Sequence, residues 1–259
     1  MRFHESTAPA IRKLDRESTM VVLPLAAVEQ HGPHMPTGTD AIICGAVAEA
    51  VEEKLAKELL LLPTLWLGAS QHHLPWQATL TAGLPTYETL VCEILEPLLK
   101  NGFRRVMLLN GHGGNIDPMR VALRRLQPAH PEVLLTAGSY WSIAELELAA
   151  CMEGDIKSLG HACEAETSLV MHLRPELVLA EDAAAMADLS GYLPDDADGL
   201  MICRDMAQRT ENGATGRPDL ASAEKGARMF AAIVNRVVEV VRKYLGEPLP
   251  EREDQKFQN

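Results

Sequence analysis

Apolar and polar positions along the chain fall into two recurring kinds of block. The run "TMVVLPLAAV" (19–28) is almost continuously apolar, the signature of a short strand buried on both faces, as in a parallel sheet. Over 41–59, Ile42, Ile43, Ala46, Val47, Ala50, Val51 and Leu55 recur at three and four while Glu49, Glu52, Glu53 and Lys54 fill the other face. That spacing predicts an amphipathic helix, and Asp40 stands just ahead of it as a favoured N-cap type. The alternation then repeats. Strands are predicted at 59–68, 103–110 and 132–140, with helices at 86–102 and 116–127 between them and at about 141–153, 162–173 and 221–245 after them. Gly102 stops one helix, and Asp117 and Pro118 open the next as N-cap and first residue.

Strands alternating with helices predict an α/β fold, a mostly parallel central sheet with helices on both faces. No linker or internal repeat divides the chain, so 1–259 reads as a single domain whose polar tail, 247–259, frays. The stretch 180–219 carries the weakest pattern.

Composition narrows the partners. The chain has 24 basic and 36 acidic residues, a formal charge of −12. That balance disfavours nucleic acid, which needs a basic face, and anionic membrane surfaces. Five cysteines, at 44, 92, 151, 163 and 203, form no C-x-x-C pair and read as reduced thiols. The N-terminal stretch lacks the apolar core of a signal peptide, and no run approaches 18 apolar residues. The expectation is a cytoplasmic protein.

The chemistry gathers where predicted strands end. The first strand runs into "EQHGPHMPTGTD" (29–40) and the third into "NGHGGN" (110–115), while "GHACEAETS" (160–168) follows a helix. In open α/β sheets, sites form beyond the carboxyl ends of the strands. If the strand continues past Val28, Glu29 and His31 point the same way. Asp40 could return to the same crevice, and His112 sits on a glycine-flanked turn. A mixed histidine and carboxylate set suits Zn²⁺ or Mn²⁺. Each element also has a plainer reading: Asp40 as a helix cap, the glycine turn as a phosphate cradle, and Glu164 and Glu166 as a solvated helix face. "QHH" (71–73) reads as a surface loop, with Trp76 beside it as pocket wall or core.

"LPLAAVEQHGPHMPTGTD", "LNGHGGN", "GHACEAETSLVMHLRPELV" and "ATGRPDLASAEKG" (214–226) together resemble the creatininase family of metal-dependent amidohydrolases, in family order over about 20–226. The resemblance implies a creatininase-like three-layer sandwich holding two divalent ions, zinc or manganese, with iron a further candidate. It implies Glu29, His31, Asp40 and His112 as metal ligands, Asp40 bridging, and His161 as the catalytic histidine. Creatinine-hydrolysing members carry a ligand Glu two residues after the turn histidine. Here Gly114 occupies that position, and Glu166 of the "ETS" run is the replacement the resemblance suggests. His34 is left as a residue behind the ligands or facing substrate.

The implied reaction is hydrolysis of a C–N bond by a metal-bound hydroxide, whose formation at neutral pH follows from the lowered pKa of metal-bound water. His161 would pass a proton to the leaving nitrogen. Creatinine-specific members are aromatic just before this histidine, whereas this chain reads "KSLG" (157–160). The expected substrate is therefore a small molecule with another non-peptide or cyclic amide or formamide bond. The family also implies a homo-oligomer, a hexamer. Two other classes stand beside this reading: a nucleotide or phosphate binder using "NGHGGN", and an inactive oligomeric relative.

Overall fold

The computed structural model describes residues 1–187, 196–197 and 200–251. Strands β1 (Met20–Leu25), β2 (Leu59–Leu61), β3 (Arg105–Asn110) and β4 (Leu134–Ser139) form one sheet in the order β2-β1-β3-β4, every neighbouring pair parallel. In chain order the helices are α1 (Ala8–Arg12), α2 (Thr39–Lys54), α3 (Leu84–Lys100), α4 (Ile116–Leu126), α5 (Tyr140–Ile143), α6 (Glu145–Cys151), α7 (Glu164–Leu173), α8 (Ala180–Ala184), α9 (Met206–Arg209) and α10 (Ala223–Gly246). Two-residue strands β5 (Asp196–Ala197) and β6 (Leu200–Met201) pair antiparallel in the stretch whose pattern was weakest.

Side chains on a strand alternate between faces, and both faces of this sheet are buried. Met20 and Val22 of β1 and Met107 and Leu109 of β3 pack with Val47 and Val51 of α2, Leu169 of α7 and Ile233 of α10. Val21, Leu23, Val106 and Leu108 point the other way, against Val91 and Leu95 of α3 and Leu126 of α4. This is why the strand sequences read as unbroken apolar runs. It also makes the fold the three-layer α/β arrangement predicted from the sequence.

The connections place the site. From β1 the chain leaves through α2 on one face, and from the adjacent β3 it leaves through α4 on the other. Chain paths that part in this way open a crevice at the carboxyl ends of the two strands, the usual ligand position in an open α/β sheet.

Several boundaries differ from the sequence pattern. β1 ends at Leu25, three residues before Val28, because its register partner β3 ends at Asn110 opposite it. Val28 instead bridges to Leu80. The 59–68 strand is only Leu59–Leu61; Pro63 has no N–H to give, and beyond it Leu65 donates to the Pro24 carbonyl. The 141–153 helix breaks at Ala144 into α5 and α6. Neither predicted N-cap is one. α2 is capped at Gly38, with Asp40 inside its first turn. α4 is capped at Asn115, because a 3₁₀ turn over Gly113–Asn115 runs directly into the helix. No helix among the described residues is long and apolar enough to cross a membrane. Of the tail expected to fray, 252–259 lies outside the described residues, as do 188–195 and 198–199.

Candidate metal centre

The segment after β1 carries Glu29 and His31 into the crevice although it is no longer strand. Glu29 N–H donates to the Thr37 carbonyl at 2.9 Å, which closes the proline-rich loop on itself and brings α2 back to the same place. Asp40 therefore projects inward from the first turn of α2, where an anion is also favoured by the helix dipole. At the end of β3, Asn110 aims the next residue but one. Its Oδ1 accepts the His112 N–H at 3.1 Å, and its Nδ2 donates to the His112 carbonyl at 2.7 Å and to Ser139 Oγ at 3.0 Å. Glu166 arrives from the first turn of α7.

These groups converge. His31 Nε2 lies 3.1 Å from Asp40 Oδ1; His112 Nδ1 lies 3.1 Å from Asp40 Oδ2 and 3.2 Å from Glu29 Oε1. Two sets of three, Glu29–Asp40–His112 and His31–Asp40–Glu166, each bring one ligand atom per residue within 4.8 Å of the others. Asp40 belongs to both. A third set joins Glu29 and His31 to His161.

Each imidazole is held from behind. His31 Nδ1 donates to the Glu29 carbonyl at 3.1 Å, which leaves Nε2 facing Asp40. His112 Nε2 reaches the Ala69 carbonyl at 3.3 Å and Ser70 Oγ at 3.2 Å, which leaves Nδ1 facing the carboxylates. A backbone carbonyl that fixes the outer nitrogen and turns the inner one toward carboxylates is how metal-binding histidines are oriented.

Both oxygens of Glu29, Asp40 Oδ2 and His31 Nε2 are buried and make no hydrogen bond. Buried polar atoms are nearly always satisfied. Three buried carboxylates facing two imidazoles, with no thiolate among them, match the nitrogen and oxygen donor set of zinc or manganese. Their mutual proximity also shifts how these groups titrate. Burial alone would depress His31, but Asp40 outweighs it and lifts the imidazole to about 9. His112 is likewise raised against its burial by Glu29 and Asp40. Burial pushes Glu166 up to about 7, with Asp40 adding and His31 opposing.

His161 lines the same cavity, of about 500 Å³, with Trp141, Leu159, Met206 and Arg209 among its other walls. Its Nε2 lies 2.7 Å from the Gln30 carbonyl oxygen and 3.1 Å from the Gln30 side-chain nitrogen; the shorter contact is to a group that can only accept, which favours the hydrogen on Nε2. Its Nδ1 is then the lone-pair nitrogen, 3.6 Å from Glu29 Oε1. Burial, and the neighbours His31 and His73, hold this imidazole well below its usual range.

All six residues named from the sequence thus meet at one crevice. The plain reading of Glu164 and Glu166 as a solvated face is overturned, since both are buried. So is the surface-loop reading of "QHH". His73 is 1% exposed, with Nε2 3.2 Å from Glu29 Oε1 and Nδ1 accepting from the Gln30 amide at 2.9 Å; His72 lines the cavity. Trp76 is half-buried. Gly114 stands where the resemblance lacks a ligand. A Cβ there would sit 2.2 Å from the Ala69 carbonyl oxygen and 2.6 Å from His112 Nε2, so this turn has no room for a side chain. His34 is wholly buried behind the site, with Nε2 2.8 Å from Thr167 Oγ1. Gln30, Ser70 and Arg209 carried no sequence signal of their own; their roles depend on segments distant in the chain.

The profile of the Creatininase family (creatinine amidohydrolase) matches residues 4–241. A mycofactocin precursor peptide peptidase of Mycobacterium ulcerans is 32% identical over 237 residues, 88% of this chain and 86% of its own. A creatinine amidohydrolase of Pseudomonas putida is 28% identical over 243 residues, 86% of this chain and 89% of its own. A creatininase solved in a manganese form shares the fold at TM-score 0.76 and 23% identity, covering 95% of this chain and 99% of that one; another solved creatininase is of Zn–Zn type. With the family's profile spanning nearly the whole chain and its fold shared with solved creatininases, this protein belongs to the creatininase family.

Proposed function

We propose that the protein is a dinuclear metal-dependent amidohydrolase. The observation that carries this reading is the set of buried Glu29, His31 and Asp40 atoms that face one another without hydrogen bonds. Glu29, Asp40 and His112 would hold one divalent ion and His31, Asp40 and Glu166 the other, with zinc or manganese favoured and iron a further candidate. Bound there, the ions would supply Lewis acidity toward the scissile carbonyl and lower the pKa of a water.

The chain's own residues supply the rest. His161 is neutral and presents Nδ1 to the cavity, so it can take a proton from the attacking water and return it to the leaving nitrogen. Throughout, Nε2–H stays on the Gln30 carbonyl, which stabilises the imidazolium that forms in between. The Gln30 amide accepts from Gly32 N–H through Oε1 and donates through Nε2 to His73, which holds His73 beside Glu29. The apolar walls at Trp141, Leu159 and Met206 keep bulk water from the leaving group.

For the substrate, the expectation of a non-peptide or cyclic amide or formamide stands beside a second reading. The relative at 32% identity is named for a peptide substrate, and the cavity also has Arg209 in its wall. Creatinine itself is disfavoured by "KSLG". The proposal takes the chain as one domain that assembles as a homo-oligomer, hexameric by resemblance, in the cytoplasm.

The test is metal analysis of purified protein followed by turnover of creatinine, N-formyl compounds and short peptides after loading with Zn²⁺ or Mn²⁺. Two ions per chain and activity that is lost on chelation and restored by metal are expected. Metal-free protein that binds phosphate or nucleotides would instead support an anion-binding role for "NGHGGN". Full metal content with no turnover across the panel would favour an inactive relative. His161→Ala is expected to keep both ions while turnover falls roughly 10²–10⁴-fold, the usual range for a positioned acid–base group; an unchanged rate would remove His161 from the mechanism.

A further inference from the structure

The segment 214–226, "ATGRPDLASAEKG", lies outside the donor cluster and has no part in the chemistry above. Its second residue meets His161 directly. The His161 N–H donates to Thr215 Oγ1 at 2.7 Å, and the Thr215 N–H donates to the His161 carbonyl at 2.7 Å. Both hydrogen-bonding groups of the His161 backbone are therefore taken by one residue 54 positions away. Thr215 is 1% exposed, so no water stands ready to replace its hydroxyl.

The chain on either side is shaped for this contact. A Cβ on Gly160 would lie 2.4 Å from the Thr215 carbonyl oxygen, so only glycine lets the two strands of chain approach so closely. Immediately after His161, Ala162 holds φ at +49°, a left-handed conformation that a residue with a Cβ adopts at an energetic cost. Such a conformation persists only where the surroundings over-determine it. The bend at Ala162 turns the chain from His161 into α7, and the imidazole stands with Nδ1 3.6 Å from Glu29 Oε1.

We infer that Thr215 is a positioning residue for His161: its paired hydrogen bonds to the His161 backbone hold the strained 160–162 turn and aim the imidazole into the cavity. This rests on the reading of His161 as the proton carrier. Among the described residues, the hydrogen bonds of Thr215 to the six site residues are those to the His161 backbone, so its removal takes no donor from the metal ligand set. Misplacing a reacting group by about 1 Å is enough to lower a rate about 10²-fold.

The experiment compares Thr215→Val, which keeps the shape and loses the acceptor, with Thr215→Ser, which keeps the acceptor. Wild type, both variants and His161→Ala are assayed on whichever of the creatinine, N-formyl and peptide probes the wild type turns over fastest. Metal content, thermal midpoint and the hydrogen-exchange rate of the His161 amide are measured alongside. The expected result is a kcat about 10–100-fold lower in Thr215→Val, with KM within threefold and two ions per chain. The His161 amide would exchange at least tenfold faster, and Thr215→Ser would return both quantities to near wild type. If Thr215→Val does not accumulate as folded protein, Thr215→Ala removes the same acceptor at smaller volume and carries the same expectation. Full turnover in Thr215→Val with a dead His161→Ala overturns the inference alone. A loss in Thr215→Ser equal to that in Thr215→Val, or a loss matched by departed metal, also overturns it. Full turnover in His161→Ala overturns the reading of His161 and this inference together.

Discussion

Asp40→Asn is expected to strip metal from both halves of the site at once and to abolish measurable turnover. Asp40 is the residue shared by the two candidate ligand sets, with Oδ1 3.1 Å from His31 Nε2 and Oδ2 3.1 Å from His112 Nδ1. Burial would raise its carboxyl, but His31 and His112 hold it at about 2, so it presents a full negative charge to the site at any working pH. Asparagine has nearly the same shape. It removes that charge, and it puts an N–H₂ group, which cannot ligate, in front of one imidazole. With one bridging carboxylate gone, neither set retains its full donors. Loss of several kcal/mol of Lewis-acid stabilisation corresponds to roughly 10³-fold or more in rate. Elemental analysis after dialysis against metal-free buffer, paired with turnover, reads the outcome. The contrast is Glu166→Gln, which touches one set only and should leave about one ion per chain. Two ions retained in Asp40→Asn would refute a bridging role. Two retained in Glu166→Gln would mean that Glu166 does not replace the ligand missing at Gly114.

The second large effect is on stability. Lys225→Met is expected to destabilise the fold by about 3–5 kcal/mol, the usual penalty for leaving one partner of a buried ion pair alone. In a chain of this size the melting temperature would fall by on the order of 10 °C. Lys225 and Glu164 are each 3% exposed, with Nζ 2.5 Å from Oε1. Lys225 Nζ also donates to the Leu220 carbonyl at 2.7 Å, and the Glu164 carboxylate accepts from the N–H groups of Glu153 and Gly154 at 2.8 and 3.0 Å. The pair thus ties the first turns of α7 and α10 to the loop that leads to His161. In Lys225→Met the glutamate keeps its two backbone donors but loses its countercharge. The double variant Glu164→Gln/Lys225→Met should be less damaged than the two single losses summed, because neither partner is left charged and alone.

The same pair has a pH signature. Burial pushes the Glu164 carboxyl up, but the Lys225 ammonium and the two N–H groups more than offset it, so its folded pKa lies below the ordinary value. A depressed carboxylate contributes stability that is fully present above its unfolded pKa and is lost as the pH falls through the folded one. The stability gap between wild type and Lys225→Met should therefore be widest near neutrality and narrow on acidification below the carboxylate range. Urea denaturation at a series of pH values measures it, and a gap that stays constant down to acid pH would count against the pair as its source.

Much of the site was legible because ligand chemistry uses few residue types. Glu29, His31 and His112 follow strand ends and Asp40 a helix start, all beside stiffening glycines and prolines, and such groups do not belong in a core. Where the pattern misled, an exposed-loop rule met a tertiary contact. His73 looked like part of a polar surface turn because nothing in "QHH" shows that α9 and the β1 loop close over it. Asp40 and Asp117 looked like helix caps because caps are the commonest use of aspartate ahead of an apolar repeat. The helices begin earlier, and in the case of Asp40 the side chain is directed into the site. Thr215 lies in the 214–226 motif that carries part of the resemblance, but nothing local gave it a role, since a buried threonine is ordinary until its partner is known.

The sequence alone determined the layering, the parallel sheet and the types of donor. Periodicity records which faces are buried, and histidine with carboxylate records which ions could be held. Only the tertiary structure decided which candidate donors face one another, and which nitrogen of each imidazole is turned inward. It also decided that Gly114 has no room for a side chain, and that a threonine 54 residues away meets both backbone groups of His161. Those facts depend on distances between segments remote in the chain, and no local pattern of residues encodes a distance.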